Sequence, residues 1–365
     1  MEGGASPVLI KEILDQGLRS VSIIGMGKNT GKTFSFNQLL MEAGQIGIRV
    51  ALTTIGLDGE EKDQLFYHDK PRITLRPGQM VANAKSLLLE SGLDYEILGS
   101  TGIMTPLGEV ILARALSAGK TVLAGPSTGH ELALVKEQFE EYGMDLFLID
   151  GAIDRRSLSA PMVTDTTILA VGAEVSWDTQ ILLEKIQHKL EILTLPSWNN
   201  EVVASHLRAE VLRDDVKLVA LASTGPQGQL THGDLLHNLD RLEGLLNEHT
   251  DTVFVQGMLT DEVLAKILAC KPHRASFTLL VTDPNCVFLG KRALQRLQSN
   301  TVELRVLDSI HVSAVTVNPF NSRYGIADPL RLLRDVGQAV YPIPTYDLNL
   351  GIRYRPEKEA FNGIS

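Results

Sequence analysis

Short runs of consecutive apolar residues alternate with longer stretches in which apolar residues recur at helical spacing, and this alternation continues through most of the chain. Strands covered by helices on both faces read as unbroken apolar runs, whereas the covering helices show a single apolar stripe. Val21-Ser22-Ile23-Ile24 is the first such run. Phe36, Leu39, Leu40 and Ala43 then recur at i, i+3, i+4 and i+7, predicting a helix that Gly44 and Gly47 stop. Residues 49–54 predict the next strand, and a right-handed helical crossover would pair it with the first in a parallel βαβ unit. Further short buried strands are predicted at 95–98, 121–124 and 146–149, with helical spacing at 109–116 and 131–142 between them. Residues 167–171, ending at Gly172-Ala173, complete a predicted sheet of about six strands, and 179–190 predict the long helix that follows.

Turn formers at Pro196-Ser197-Trp198-Asn199-Asn200, just before the charged segment 208–217, predict a domain junction near residue 200. Beyond it, strands are predicted at 216–222, 252–255, 277–281, 302–306 and 312–317, with a helix at 261–268 among them. The expected fold class is therefore α/β. A mostly parallel sheet flanked by helices occupies 1–199, and a second, smaller α/β domain for interaction or substrate selection occupies 200–365.

Chemistry enters at Gly25-Met26-Gly27-Lys28-Asn29-Thr30-Gly31-Lys32-Thr33, which lies between the first predicted strand and the first predicted helix. That context makes it a candidate phosphate-binding loop: small glycines let backbone amides close around phosphate, Lys32 adds a point charge, and the Thr33 hydroxyl can ligate Mg²⁺. The helix N-terminus adds partial positive charge. The usual spacing would put glycine at position 26, where Met stands, with Gly25 and Gly27 on either side. A glycine six positions before Gly-Lys-Thr resembles the loop of dethiobiotin-synthetase-like members of the P-loop class. The nucleotide-binding candidates are thus Gly27, Lys28, Asn29, Thr30, Gly31, Lys32 and Thr33, in a 1–199 domain expected to be P-loop NTPase-like.

Leu146-Phe147-Leu148-Ile149-Asp150 has the form of a strand ending in an acid, which can hold hydrated Mg²⁺ beside the phosphates. Lys32 and Asp150 are the candidate catalytic pair, and Thr33, Asp58 and Asp150 the candidate metal residues. A turn or a helix cap is the alternative role for Asp150, and an Asp-Gly turn is the alternative for Asp58. Glu60 shares that segment. Gly99-Ser100-Thr101-Gly102 is a weaker substrate candidate, and Gly172 and Ala173 are placed where a late strand's loop could approach the base. Ser127 or Thr128 in Gly125-Pro126-Ser127-Thr128-Gly129-His130-Glu131 is expected to cap a helix.

Composition narrows the class. A net charge of −10 with 5% aromatic residues argues against a surface adapted to nucleic acid. His232 and His237 fit no zinc pattern. Two distant cysteines, Cys270 and Cys286, predict a reducing compartment; the N-terminal residues lack a signal-like pattern, and no apolar run is long enough for a membrane span, so a cytoplasmic location is expected.

Segments 27–33, Thr54-Ile55-Gly56-Leu57-Asp58-Gly59-Glu60-Glu61 and Asp150-Gly151-Ala152-Ile153-Asp154-Arg155-Arg156 together resemble the smaller reactivase subunit of adenosylcobalamin-dependent lysine 5,6-aminomutase, a protein of lysine fermentation. The resemblance implies a MutS-like ATPase subunit and the aminomutase as partners, and a role coupling nucleotide state to release of damaged cobalamin. It implies no radical chemistry in this chain. The rival expectation is a dethiobiotin-synthetase-like ATP-dependent metabolic enzyme, and a third is a binding module without turnover. ATP is the expected nucleotide, with GTP left open because only the missing Asn-Lys-x-Asp signature speaks against it.

Overall fold

The computed structural model describes residues 9–55, 72–150, 163–200, 204, 207, 216–222, 225–231, 239–271 and 276–356. They form two compact units: one from the residues up to 189 together with those from 311 onward, the other from 190–310. In chain order the first unit supplies α1 (Leu9–Asp15), β1 (Ser20–Gly25), α2 (Lys32–Ile46), β2 (Val50–Thr54), β3 (Ile73–Leu75) and β4 (Met80–Ala84). It continues with α3 (Lys85–Glu90), β5 (Tyr95–Thr105), β6 (Gly108–Ala115), β7 (Gly119–Thr121), α4 (Gly129–Glu141), β8 (Leu146–Asp150) and β9 (Thr166–Gly172). The chain leaves this unit along α5 (Thr179–Leu193).

The second unit contains β10 (Val216–Ala222), β11 (Gly225–Thr231), α6 (Leu239–Leu245), β12 (Thr252–Val255), β13 (Leu259–Thr260), α7 (Asp261–Ala269), β14 (Phe277–Val281), β15 (Val287–Phe288), α8 (Lys291–Ser299) and β16 (Val302–Val306). Its five-stranded sheet has the order β11-β10-β12-β14-β16, parallel from β12 to β16. Leu218, Val253, Leu279 and Leu304 from its strands pack with Leu264, Ile267 and Leu294 from its helices in one core.

The chain then returns to the first unit with β17 (Val312–Asn318), β18 (Phe320–Asn321), β19 (Gly325–Ile326), α9 (Pro329–Ala339), β20 (Thr345–Asp347) and β21 (Ile352–Arg353). The large sheet reads β21-β20-β17-β9-β1-β8-β2-β4-β6-β5. Every pair from β20 across to β4 is parallel, and antiparallel strands close both sides. The fold is thus α/β, with a large, mostly parallel sheet flanked by helices.

Side-chain alternation explains why the central strands are apolar throughout. Along β8, Leu146 and Leu148 join the core beneath α1 and α2 with Ile10, Phe36 and Leu39, while Phe147 and Ile149 face Leu132, Val135 and Phe139 of α4. Phe36 is fully buried, so truncation to Ala would cost about 3–5 kcal/mol.

Five expectations change. The strand at 49–54 pairs with β8 and not with β1, because β8 lies between them. Residues 109–116, expected to be helical, form β6: Val110 and Leu112 belong to one core and Ile111, Ala113 and Ala115 to the other, so two covered faces imitate a helical stripe. Gly99–Gly102 lies inside β5, at register shifts against β6, and is not a loop after a strand. Residues 312–317 form a strand, but it pairs in parallel with β9, and β20 and β21 extend the same sheet; the segment expected in the 200–365 domain therefore belongs to the first unit. The expected strand at 121–124 ends at Thr121. Among the described residues no helix is long and apolar enough to cross a membrane.

Candidate functional site

The loop after β1 is pinned at three points. The Met26 amide donates to the Ala170 carbonyl at 3.1 Å, the Thr30 hydroxyl donates to the Gly27 carbonyl at 3.0 Å, and Asn318 Nδ2 donates to the Asn29 carbonyl at 2.9 Å. Asn29 sits at φ 57°, a region that Asn tolerates better than most residues. Gly31 sits at φ 93°, and a Cβ there would stand 3.0 Å from Asn318 Cβ, so both conformation and space call for glycine. At Gly25 a Cβ would come within 2.6 Å of the Thr30 hydroxyl and block the curl.

Helix α2 starts directly from this loop with Gly31 as its N-cap. No side chain caps it and no acid occupies its first turn, so its leading amides and dipole are left for a ligand. Lys32 and Thr33 are its first two residues. Lys32 Nζ lies 3.6 Å from Oδ1 of Asp150, the last residue of β8. The adjacent strand ends fix this geometry, since the Thr54 hydroxyl donates to the Asp150 carbonyl at 2.7 Å. Lys32 remains about one-third exposed, so the pair is worth about 1 kcal/mol or less and yields readily to a phosphate.

Asp150 Oδ1 is shielded from water and accepts no hydrogen bond, which leaves a carboxylate oxygen with unused lone pairs beside the helix end. That fits a shared Mg²⁺ shell. Among the described residues no three His, Cys, Asp or Glu side chains gather into a metal site, so a cation here would depend on phosphate oxygens and water for the rest of its ligands.

Two clefts border the loop. One, of about 400 Å³, is lined by Thr30, Gly31, Phe34, Asn318, Phe320 and Ile326 among others. Phe34, Phe320 and Ile326 are exposed large apolar side chains, giving this cleft flat, greasy walls. The other, of about 490 Å³, meets the loop at Gly27 and Lys28.

Of the residues expected at the site, the structure brings Gly27 to Thr33 and Asp150 together. Asp58 and Glu60 lie outside the described residues, as do 151–156. Gly172 packs beneath the loop, where a Cβ would be 3.2 Å from Thr30 Cα, and buried Ala173 spends its amide on the Asn318 carbonyl and its own carbonyl on Asn321 Nδ2. These two support the loop from below. Sequence reading missed Asn318, Phe320 and Glu174. The signal for Asn318 was the apolar run ending in Asn-Pro, but with its strand assigned to another domain its position beside the loop stayed hidden. Glu174 accepts from the amide and hydroxyl of Ser322 at 2.7 and 2.6 Å, and those bonds hold its carboxyl below the usual range.

Comparison with protein-family models, with curated proteins and with solved structures yields no match.

Proposed function

We propose that this chain binds a nucleoside triphosphate, ATP in preference to GTP, at the loop spanning Gly25–Thr33. The observation that carries the reading is the uncapped start of α2 with Lys32 Nζ 3.6 Å from the unbonded Oδ1 of Asp150. Backbone amides from Gly27 to Thr33 cradle the phosphates, and Lys32 moves from Asp150 onto them. The Thr33 hydroxyl and Asp150 would hold Mg²⁺, which when bound would neutralise charge on the phosphate oxygens. Phe34 and Phe320 receive the base in the apolar cleft. On this reading the first unit is a P-loop NTPase-like domain.

The resemblance to the lysine 5,6-aminomutase reactivase extends the proposal. Nucleotide state would bias how the chain meets its partners, and the second unit would grip the aminomutase or its MutS-like ATPase subunit. The basic cleft at Lys28 supports a second reading, an ATP-dependent enzyme of the dethiobiotin-synthetase type acting on a small anionic substrate. The two readings part at turnover: the reactivase needs a protein partner to consume ATP, and the enzyme needs only its small substrate.

Calorimetric titration of MgATP into the wild type and into Lys32→Ala tests the core of the proposal. The expected result is a loss of affinity on the order of 100-fold with an unchanged far-ultraviolet spectrum. Equal affinities would remove the loop from the function. A parallel titration with GTP decides the base.

A further inference from the structure

The cleft at the Gly27 end of the loop has a different character from the aromatic one. Its volume is about 490 Å³, and its walls include Lys28 from the loop, Glu174 from the segment after β9, and Lys185, His188 and Lys189 from α5. Lys185 and Lys189 are four residues apart, on one face of the helix. Like charges at that spacing cost a helix about 0.2–0.5 kcal/mol, so something other than helix stability places them there.

Among the described residues, no carboxylate pairs with Lys28, Lys185 or Lys189. Lys185 Nζ donates to the Val175 carbonyl at 3.2 Å, which fixes its head at the cleft wall. Burial holds the Lys189 ammonium below the ordinary lysine range, with no neighbouring acid to offset it. Glu174, the acid in the wall, has both carboxylate oxygens hydrogen-bonded by Ser322, and its single negative charge leaves the three lysines in excess. In a chain of net charge −10, three lysines around one cleft form a local field that attracts anions.

We propose that this cleft is a second ligand site, for a small phosphate-bearing molecule that sits beside the nucleotide. The inference rests on the nucleotide reading for its neighbour but not for its own binding. Lys28 and Lys185 meet the phosphate as exposed point charges, and Lys189 meets it from the half-buried end of the cleft. The occupant has two conceivable sources, a separate phosphorylated molecule or the terminal phosphates of the nucleotide itself, and the proposal commits to the first.

Pyrophosphate is the probe. In a Lys32→Ala background, which disables the phosphate loop, pyrophosphate binding is expected to persist. Adding Lys185→Gln and Lys189→Gln is expected to weaken it by about tenfold or more, and Lys28→Gln gives an independent variant off the helix. Thermal midpoints and far-ultraviolet spectra confirm that each variant folds. Pyrophosphate should also bind wild-type protein saturated with a non-hydrolysable ATP analogue. The proposal is overturned if Lys32→Ala alone abolishes pyrophosphate binding, if the glutamine variants bind it as tightly as their parent, or if the ATP analogue displaces it. Failure of the nucleotide reading shows separately, as absence of MgATP binding to the wild type.

Discussion

Helices α2 and α4 both begin beside the carboxyl ends of the central strands, and they treat their first-turn amides in opposite ways. At α4, Thr128 is an N-cap in extended backbone whose hydroxyl accepts from the Glu131 amide at 3.2 Å. The Glu131 carboxylate reaches back to accept from the Ser127 and Thr128 amides at 2.9 and 3.0 Å. The upstream Gly125 lies so close to the Thr54 carbonyl that a Cβ would collide with it, which ties this start to the end of β2. At α2 the cap is Gly31 at φ 93°, no side chain reaches the amides, and a lysine stands where α4 has glycine. One start is closed by its own residues. The other keeps its donors open at a cost in stability of about a few tenths of a kcal/mol relative to a Thr-capped helix, the pattern expected where a ligand completes the structure.

Exchanging the two kinds of cap breaks the comparison most directly. Gly31→Ala forces a side chain into left-handed backbone and against Asn318, which should destabilise the first unit by about 2 kcal/mol and cut MgATP affinity on the order of 100-fold. Urea unfolding and calorimetry read the two effects separately. An alanine variant with wild-type affinity would show that loop curvature is irrelevant to the ligand. Phe34→Glu is subtler, because it puts an acid at the third helical position, where α4 has Glu131. The half-exposed position tolerates the change, and the acid should stabilise α2 by about 0.3–1 kcal/mol while lowering nucleotide affinity about tenfold through repulsion and loss of the aromatic wall. A gain in affinity would contradict the anion-binding role of this helix end.

The closed start was legible from four residues, since Thr128 and Glu131 carry the local signature of a capping box. The open start was legible too: its glycines, Lys32 and Thr33 stand between an apolar run and a helical stripe, and Asp150 at the end of another apolar run pointed to the same edge. Each of these signals is local in sequence. What stayed hidden was non-local. Nothing in Val312–Asn318 states that it pairs with β9, 140 or more residues earlier, and so Asn318 and Phe320 could not be placed beside Thr30 and Gly31. Strand β6 was misread for a related reason, because its two buried faces erase the period-two pattern that marks a half-buried strand.

The capped helix also supplies a control of intermediate size. Thr128→Ala removes the hydroxyl acceptor and should cost about 1 kcal/mol, with Thr128→Gly costing only a few tenths because glycine suits the cap position. Neither should alter MgATP affinity, since both act on a start that no ligand completes. A drop in affinity with Thr128→Ala would mean that the two helix ends are coupled through the strand ends at Thr54 and Asp150.

Glu131→Gln gives the smallest effect and the sharpest reading of why the two starts differ. Glutamine can still accept from the Ser127 and Thr128 amides, so the bonds survive and only the negative charge near the helix dipole is lost. The cost should be a few tenths of a kcal/mol at low ionic strength and should vanish near 1 M salt, where the Debye length is about 3 Å. Glu131→Ala loses the bonds as well, and its larger cost, about 1 kcal/mol, should persist in salt. Nucleotide affinity at α2 should fall steeply over the same salt range, because that end relies on the Lys32 charge and open amides. If Glu131→Gln instead cost as much as Glu131→Ala at low salt, and both costs vanished near 1 M salt, charge would dominate at both helices. The distinction between a start closed by hydrogen bonds and a start held open for an anion would then collapse.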